Sequence, residues 1–236
     1  MAIRTCVLAM VLGLLGCATG VPLGSRAELH NGRLLPFAPA GIRRELPVEP
    51  TSTSPLTASP QVRLKALEVA RSLVGEDRVK VGHKHYPQDC SGLVLAAYGE
   101  AGVNLMAAAH PEDNAVTAIY RFAREHGRVY AGGWPVAGDL VFFRETYDQN
   151  RDGRQNDGLT HIGLVEGVDR DGTIRVIHRV KRGVVVYRMN LNAPDQRVES
   201  GTGRKLNDYL RSGSGPKEAA LTGQLFAGYA TLFPGK

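Results

Sequence analysis

Asp89-Cys90-Ser91-Gly92-Leu93-Val94-Leu95-Ala96-Ala97-Tyr98 sets a cysteine directly before an apolar run. The run predicts a helix from about Ser91 to Ala101, stopped at Gly102. The other two cysteines, Cys6 and Cys17, fall in an N-terminal export segment, so Cys90 is the only thiol of the folded part. An exported protein normally pairs its cysteines or dispenses with them, and a solitary one at a helix start points to a nucleophile. Free cysteines as a class are often inert buried thiols. The polar neighbours Asp89 and Ser91 favour chemistry here.

Upstream, Ser59-Pro60 is a helix start with the serine as cap and the proline in the first turn. Val62, Ala66, Val69 and Leu73 then recur at helical spacing up to Gly75. Downstream, Val116, Ile119, Tyr120 and Ala123 give one face of a third helix over about Asn114 to Glu125. Beyond Gly127 the pattern becomes strand-like: Leu140 to Phe143, His161 to Gly167, Thr173 to Val180 and Val184 to Tyr187, each bounded by turn residues. Leu225 to Phe233 is a further strand or a packed tail. Helices first and antiparallel strands afterwards predict an α+β domain over residues 61–236.

A thiol attacks as the thiolate, and the unpaired N–H groups of a helix start favour that anion. A histidine can take the proton, as in other Cys–His pairs. Of the seven histidines, His161 begins one predicted strand and His178 lies in the next. A four-residue loop, Val168 to Asp171, would set His161 directly opposite His178. A tight Asp171-Gly172 turn would instead set His178 opposite Val165, on the same sheet face but about 13 Å further along. Under the first register His161 is the base and His178 orients its ring. A surface or core role is expected for His30, His83, His110 and His126.

Asp89-Cys90-Ser91-Gly92, Pro135-Val136-Ala137-Gly138-Asp139-Leu140-Val141-Phe142-Phe143 and His161-Ile162-Gly163-Leu164-Val165 together resemble the NlpC-type cell-wall cysteine peptidases. The resemblance runs from about Gln61 to Tyr187. It implies a papain-like fold, with the cysteine on a helix packed against an antiparallel sheet. It implies Cys90 as nucleophile, His161 as base and His178 as the third polar residue. It also implies peptidoglycan stem peptides as substrate, often cut between a γ-linked D-glutamate and a diamino acid. An amidase or acyltransferase could use the same scaffold and thioester chemistry, as could a wall-binding protein without turnover.

The chain departs from that pattern in two places. Val79-Lys80-Val81-Gly82-His83-Lys84-His85-Tyr86 stands where the family often has a tyrosine and a Gly-Gly pair, leaving Tyr86 as the substitute. Tyr86, Asp89 and Ser91 are the candidate substrate contacts. The segment between Phe143 and His161 is also long. Within it Asp148, Asn150 and Asp152 alternate before Gly153, the opening of a calcium loop. Asp157 would have to replace the glutamate expected where Leu159 stands. The expectation is a weak Ca²⁺ site or a plain solvated loop, with no cofactor required for the reaction. Asp139 reads as a turn residue, and Trp134 and Tyr130 as core.

Met1 to Leu15 reads as a signal peptide: Arg4 supplies charge, and Cys6 to Leu15 is too short to span a bilayer. Leu14-Leu15-Gly16-Cys17 resembles a bacterial lipobox, which implies cleavage after residue 16 and a lipid on Cys17. Residues 17–60, rich in Pro, Ser, Thr and Gly, then form a flexible tether. The formal charge is +6, with short basic clusters at Arg43-Arg44 and at Arg179, Lys181 and Arg182. Scattered charge argues against a nucleic-acid partner and suits a bacterial envelope protein near anionic wall polymer or lipid. A monomer anchored to the membrane by lipid is expected.

Overall fold

The computed structural model describes residues 60–213 and 219–232. The signal peptide expected over residues 1–16, and the tether with Cys17 that follows it, lie outside the described residues. Helix α1 (Pro60–Ser72) is followed by a small hairpin of β1 (Lys80–Val81) and β2 (Lys84–His85), then by α2 (Cys90–Glu100) and α3 (Ala115–His126). The strands come next: β3 (Gly127–Tyr130), β4 (Leu140–Arg144), β5 (Leu159–Val168), β6 (Ile174–Val180) and β7 (Gly183–Met189). β8 (Tyr209–Arg211), β9 (Ala220–Leu221), the single-turn α4 (Thr222–Leu225) and β10 (Phe226–Leu232) close the described chain. The α+β class follows from this order.

Six strands make one antiparallel sheet in the order β3-β10-β4-β5-β6-β7. The last strand is therefore inserted between β3 and β4, and the segment expected at Leu225 to Phe233 is a strand from Phe226 to Leu232 after the helical Leu225. The helices cover one face. Leu93, Val94, Ala96, Ala97 and Tyr98 of α2 are all buried there with Ile162, Leu164 and Ile177 of the sheet. A helix apolar on every side has to be enclosed, and each such Leu or Val contributes about 1.5–3 kcal/mol by leaving water. α3 is amphipathic instead, burying Val116, Ile119, Phe122 and Ala123 and leaving Arg124 and Glu125 outside. A second cluster on the opposite face holds Val141, Phe143, Val165, Val176 and Tyr229.

The entry to β4 ties the layers together. Gly138 has φ +90°, and a Cβ there would stand 2.8 Å from the Arg63 carbonyl oxygen of α1. Tyr98 of α2 donates to the Gly138 carbonyl at 2.6 Å. Asp139, fully buried, accepts from the Tyr130 hydroxyl at 2.5 Å and from the Val136 N–H at 3.0 Å. Its other oxygen stands 3.5 Å from an Arg63 guanidinium nitrogen. Asp139 is a turn residue, as its position implied, and also the buried anion of the helix–sheet seam. Tyr130 is half-buried, whereas Trp134 is 44% exposed, its ring laid across Gly172. Trp134 is thus outside the core, and it packs on Gly172, where a Cβ would stand 2.7 Å from its ring.

Removing one member of a buried ion pair leaves the other charge uncompensated, which costs about 3–5 kcal/mol. Asp139→Ala should lower the free energy of unfolding in urea by that order. Tyr130→Phe should cost about 1 kcal/mol, a single hydrogen bond.

Candidate active site

Asp89 is the N-cap of α2: its carboxylate accepts from the Gly92 N–H at 2.9 Å and from the Ser91 hydroxyl at 2.6 Å. That cap fixes Cys90 as the first helical residue, where N–H groups lack intrahelical partners. Gly92 is required by the approach of the preceding loop, since a Cβ there would fall 1.8 Å from the Pro87 carbonyl oxygen. Cys90 is half-buried and has no disulfide. Its thiol lies against the backbone amide of Ile162, the residue after His161.

His161 and His178 meet, though by neither expected register. Val165 pairs with Val176 and Leu164 with Ile177, after an irregularity between Val165 and Gly167. Continued, this register sets His178 beside Gly163, two residues from His161 and on the same face. A Cβ at Gly163 would come 2.8 Å from the Ile177 carbonyl oxygen and 3.1 Å from the His178 Cβ. Glycine therefore leaves the room in which the two rings approach diagonally. His161 Nε2 and His178 Nδ1 are 2.8 Å apart, with the rings nearly perpendicular.

The tautomers follow from this contact. With Nε2 occupied, His161 has Nδ1 left to take a proton from the thiol. Nε2 must then carry hydrogen and donate to His178 Nδ1, which places the His178 hydrogen on Nε2. That atom is buried without a hydrogen-bond partner among the described residues. The His178 ring meets the Tyr187 ring at 4.4 Å between centroids and 72° between planes.

Burial decides the protonation states. It pushes the Cys90 thiol up to about 11, with the Asp89 carboxylate adding to the rise; the amides of Ile162, Ser91 and Cys90 act the other way without prevailing. Burial lowers His161 to about 4, against a smaller opposing pull from Asp89. His178 is lowered by burial first, then by His161 and Arg182. The helix start alone thus does not make a resting thiolate. Moving one proton from Sγ to Nδ1 creates both charges side by side, where each stabilises the other.

Cys90 and His161 line a cavity of about 600 Å³, with Asp89 and Ser91 also in its wall. Tyr86 does not line it. Its hydroxyl donates to Glu100 at the far end of α2, at 2.9 Å, because the β1–β2 hairpin returns the chain there. A different tyrosine, Tyr147, stands in the cavity wall and is 54% exposed. It is presented by the long segment before β5. Glu145 there takes φ +52°, and its carboxylate accepts from the Asp157 and Gly158 N–H groups. Beside it the Thr146 and Thr160 hydroxyls bond each other at 2.9 Å.

The four expected calcium ligands bond within that segment. Asp148 accepts from the Asp152 and Gly153 N–H groups, and Asp157 from those of Gln149 and Asn150. Asn150 accepts from the Asp152 N–H, and Asp152 from Arg154 N–H and Asn156. Their oxygens meet loop donors, and the described residues contain no His, Cys, Asp or Glu cluster of metal-binding geometry. Sequence reading also missed Asn114, which caps α3 and reaches the Leu159 carbonyl at 3.1 Å. An Asn before a helical pattern was the available signal. Arg179 and Lys181 in the cavity wall had only their charge clustering to mark them.

A cysteine at a helix start, sharing a cavity with one of two hydrogen-bonded histidines on an antiparallel sheet, defines a candidate Cys–His–His site on an α+β scaffold. Residues 79–199 match the NlpC/P60 family, and the chain belongs to that family. A protein described as similar to a lipoprotein of the NLP/P60 family, from Staphylococcus aureus, is 19% identical with a TM-score of 0.42. That match covers 78% of this chain and 46% of the other. Ly7917 is 16% identical over 72% of this chain and 62% of its own, with a TM-score of 0.42. The structure of Ly7917 with the hydrolyzing product of MDP gives 16% over 72% and 63%, at 0.43. This chain therefore covers from 46% to 63% of these solved chains. No curated protein matches it.

Two pH dependences are expected. Alkylation of native Cys90 by iodoacetamide should keep accelerating beyond the ordinary thiol range of about 8.5; a plateau near neutrality would instead show a preformed thiolate. Histidines held neutral bind fewer protons folded than unfolded, so stability is complete above about 6.5 and lost as pH falls toward about 4. Melting temperatures across that window should fall for the wild type and fall less for His178→Gln.

Proposed function

We propose that the protein is a peptidoglycan hydrolase, a cysteine endopeptidase that cuts stem peptides between a γ-linked D-glutamate and a diamino acid. The observation that carries this reading is the His161–His178 contact beside the Cys90 thiol, in a chain of the NlpC/P60 family. Cys90 Sγ attacks the amide carbonyl carbon while its proton passes to His161 Nδ1. The N–H of Cys90, at the helix start, is the donor we assign to the oxygen that becomes negative. His161 then gives the proton to the leaving amine, the C–N bond breaks, and a thioester remains on Cys90. Water attacks the thioester as His161 takes its proton, and the acid product leaves with the thiol restored. His178 holds the imidazole in the required tautomer throughout.

Muropeptides incubated with the protein should give products 18 Da heavier in sum than substrate by mass spectrometry, one water added per bond. Cys90→Ala and His161→Ala should abolish them. His178→Gln should retain part of the activity, since an amide oxygen can still accept from His161 Nε2. Tyr147→Ala should chiefly raise KM, because the exposed ring meets substrate without moving a proton. Equal activity in Cys90→Ala would remove the thiol from the reaction.

We also propose the bacterial envelope as the place of action, held by lipid on Cys17. No helix among the described residues is long and apolar enough to cross a membrane. Stable anchoring needs more than one acyl chain, so Cys17→Ser should move the protein from the membrane fraction to the soluble one or leave an unprocessed precursor. A mature N-terminus elsewhere, found by sequencing, would exclude the anchor.

A further inference from the structure

We propose that Arg179 and Lys181 form a receptor for a free substrate carboxylate, making the enzyme selective for stem peptides whose carboxylates are not amidated. This rests on the peptide-hydrolase reading above and concerns the same cavity. The charged side chains lining it are Asp89, Arg179 and Lys181, so the lining carries one net positive charge with His161 neutral. The anion is already engaged, because an Asp89 oxygen accepts both Ser91 and Gly92 in the helix cap.

The two cations are not neutralised. Arg179 Nη1 donates to the Val180 carbonyl at 2.5 Å and Nη2 to the Asp77 carbonyl at 3.1 Å. Those contacts hold the guanidinium in place without supplying a negative charge, and its Nε is enclosed with no partner. Lys181 has no hydrogen bond or ion pair among the described residues. Elsewhere in the same structure Arg63, Arg121, Arg175 and Arg204 each face a carboxylate. An unpaired cation pair beside a nucleophile, in a concave site that restricts solvent, favours an anionic ligand. Arginine held in a fixed fork suits a carboxylate in particular.

A γ-linked glutamate retains its α-carboxylate, and a dicarboxylic diamino acid retains one of its own. Either is a free acid or a carboxamide, isosteric but uncharged. Arg179 lies near the end of β6 and Lys181 in the following turn, and both line the cavity that holds Cys90 and His161. Both residues flanking the cut bond carry such a carboxylate, and amidating each in turn separates them.

The test measures kcat/KM of the full-length protein on three synthetic stem peptides: both carboxylates free, glutamate α-amidated, and diamino acid amidated. Amidation at the receptor-bound position should lower kcat/KM about tenfold, mostly through KM. Added salt should weaken the free-acid substrate more than its amide. Lys181→Gln should erase the preference, its kcat/KM on the free acid falling to that on the amide. Arg179→Lys, which keeps a cation but loses the fork, should keep part of it, and melting temperatures separate this from unfolding. A preference tied to the glutamate carboxylate assigns the receptor to the acyl side, and one tied to the diamino acid assigns it to the amine side. Equal cleavage of all three peptides by the wild type, or an unreduced preference in Lys181→Gln, overturns the receptor while leaving the hydrolase intact. No cleavage of any peptide overturns the hydrolase reading, and the receptor with it.

Discussion

Leu93, Val94, Ala96, Ala97 and Tyr98 leave no solvent around the body of α2, so the helix can offer polar groups only at its ends. Its position is set by apolar burial against β5 and β6, a term of several kcal/mol that the chemistry does not have to supply. The N-terminal end is then forced to the place where pairing of β5 with β6 begins, at Leu164 and Ile177. There the Ile162 amide faces the thiol. The site follows from packing: a fully enclosed helix cannot slide, so the thiol on its first residue cannot either. The Asp139 seam serves the same end, binding α1 and the β4 entry so that the sheet does not shear beneath the helix.

Burial that fixes the groups also opposes their ionisation. The Cys90 and His161 shifts are in opposite directions and share one cause, loss of water. A buried lone charge costs several kcal/mol, whereas a proton exchanged between adjacent neutral groups creates no net charge. Near neutral pH the arrangement therefore favours proton exchange between the two groups over ionisation of the thiol alone. Asp89 has two effects at once. As a cap it orients the helix start, and as an anion it disfavours the thiolate while favouring the imidazolium.

The parts of this site legible in the sequence are those with local causes. Asp89 before an apolar run specifies a capped helix, and a solitary thiol at its first turn is a chemical signal independent of the fold. The two histidines were legible as a pair, since alternation places positions 161 and 178 on one face whichever turn is chosen. Their exact offset was not, because an irregularity at one residue, between Val165 and Gly167, changes the register and depends on both strands. β10 could not be placed from pattern alone, as its insertion between β3 and β4 is a contact across about half the chain. Tyr86 was misplaced for a related reason: a two-residue hairpin reverses the chain and turns the ring toward Glu100.

Two side chains of the cavity wall, Tyr147 and Arg179, are positioned by local hydrogen bonds more than by core packing. The stretch from Glu145 to Gly158 is long and polar. It spends its carboxylates on its own amides, and the left-handed Glu145 is compensated by two N–H bonds to its side chain. The result is a stiff strap that holds Tyr147 over the cavity, a role any well-satisfied loop could fill. Arg179 is likewise held by carbonyls, which fix geometry and leave charge unspent. In both cases hydrogen bonds internal to a loop do the positioning, and the group they present is left free for something outside the protein. Core packing thus fixes where the thiol and the imidazole stand, and these two self-satisfied segments present Tyr147 and Arg179 to the same cavity.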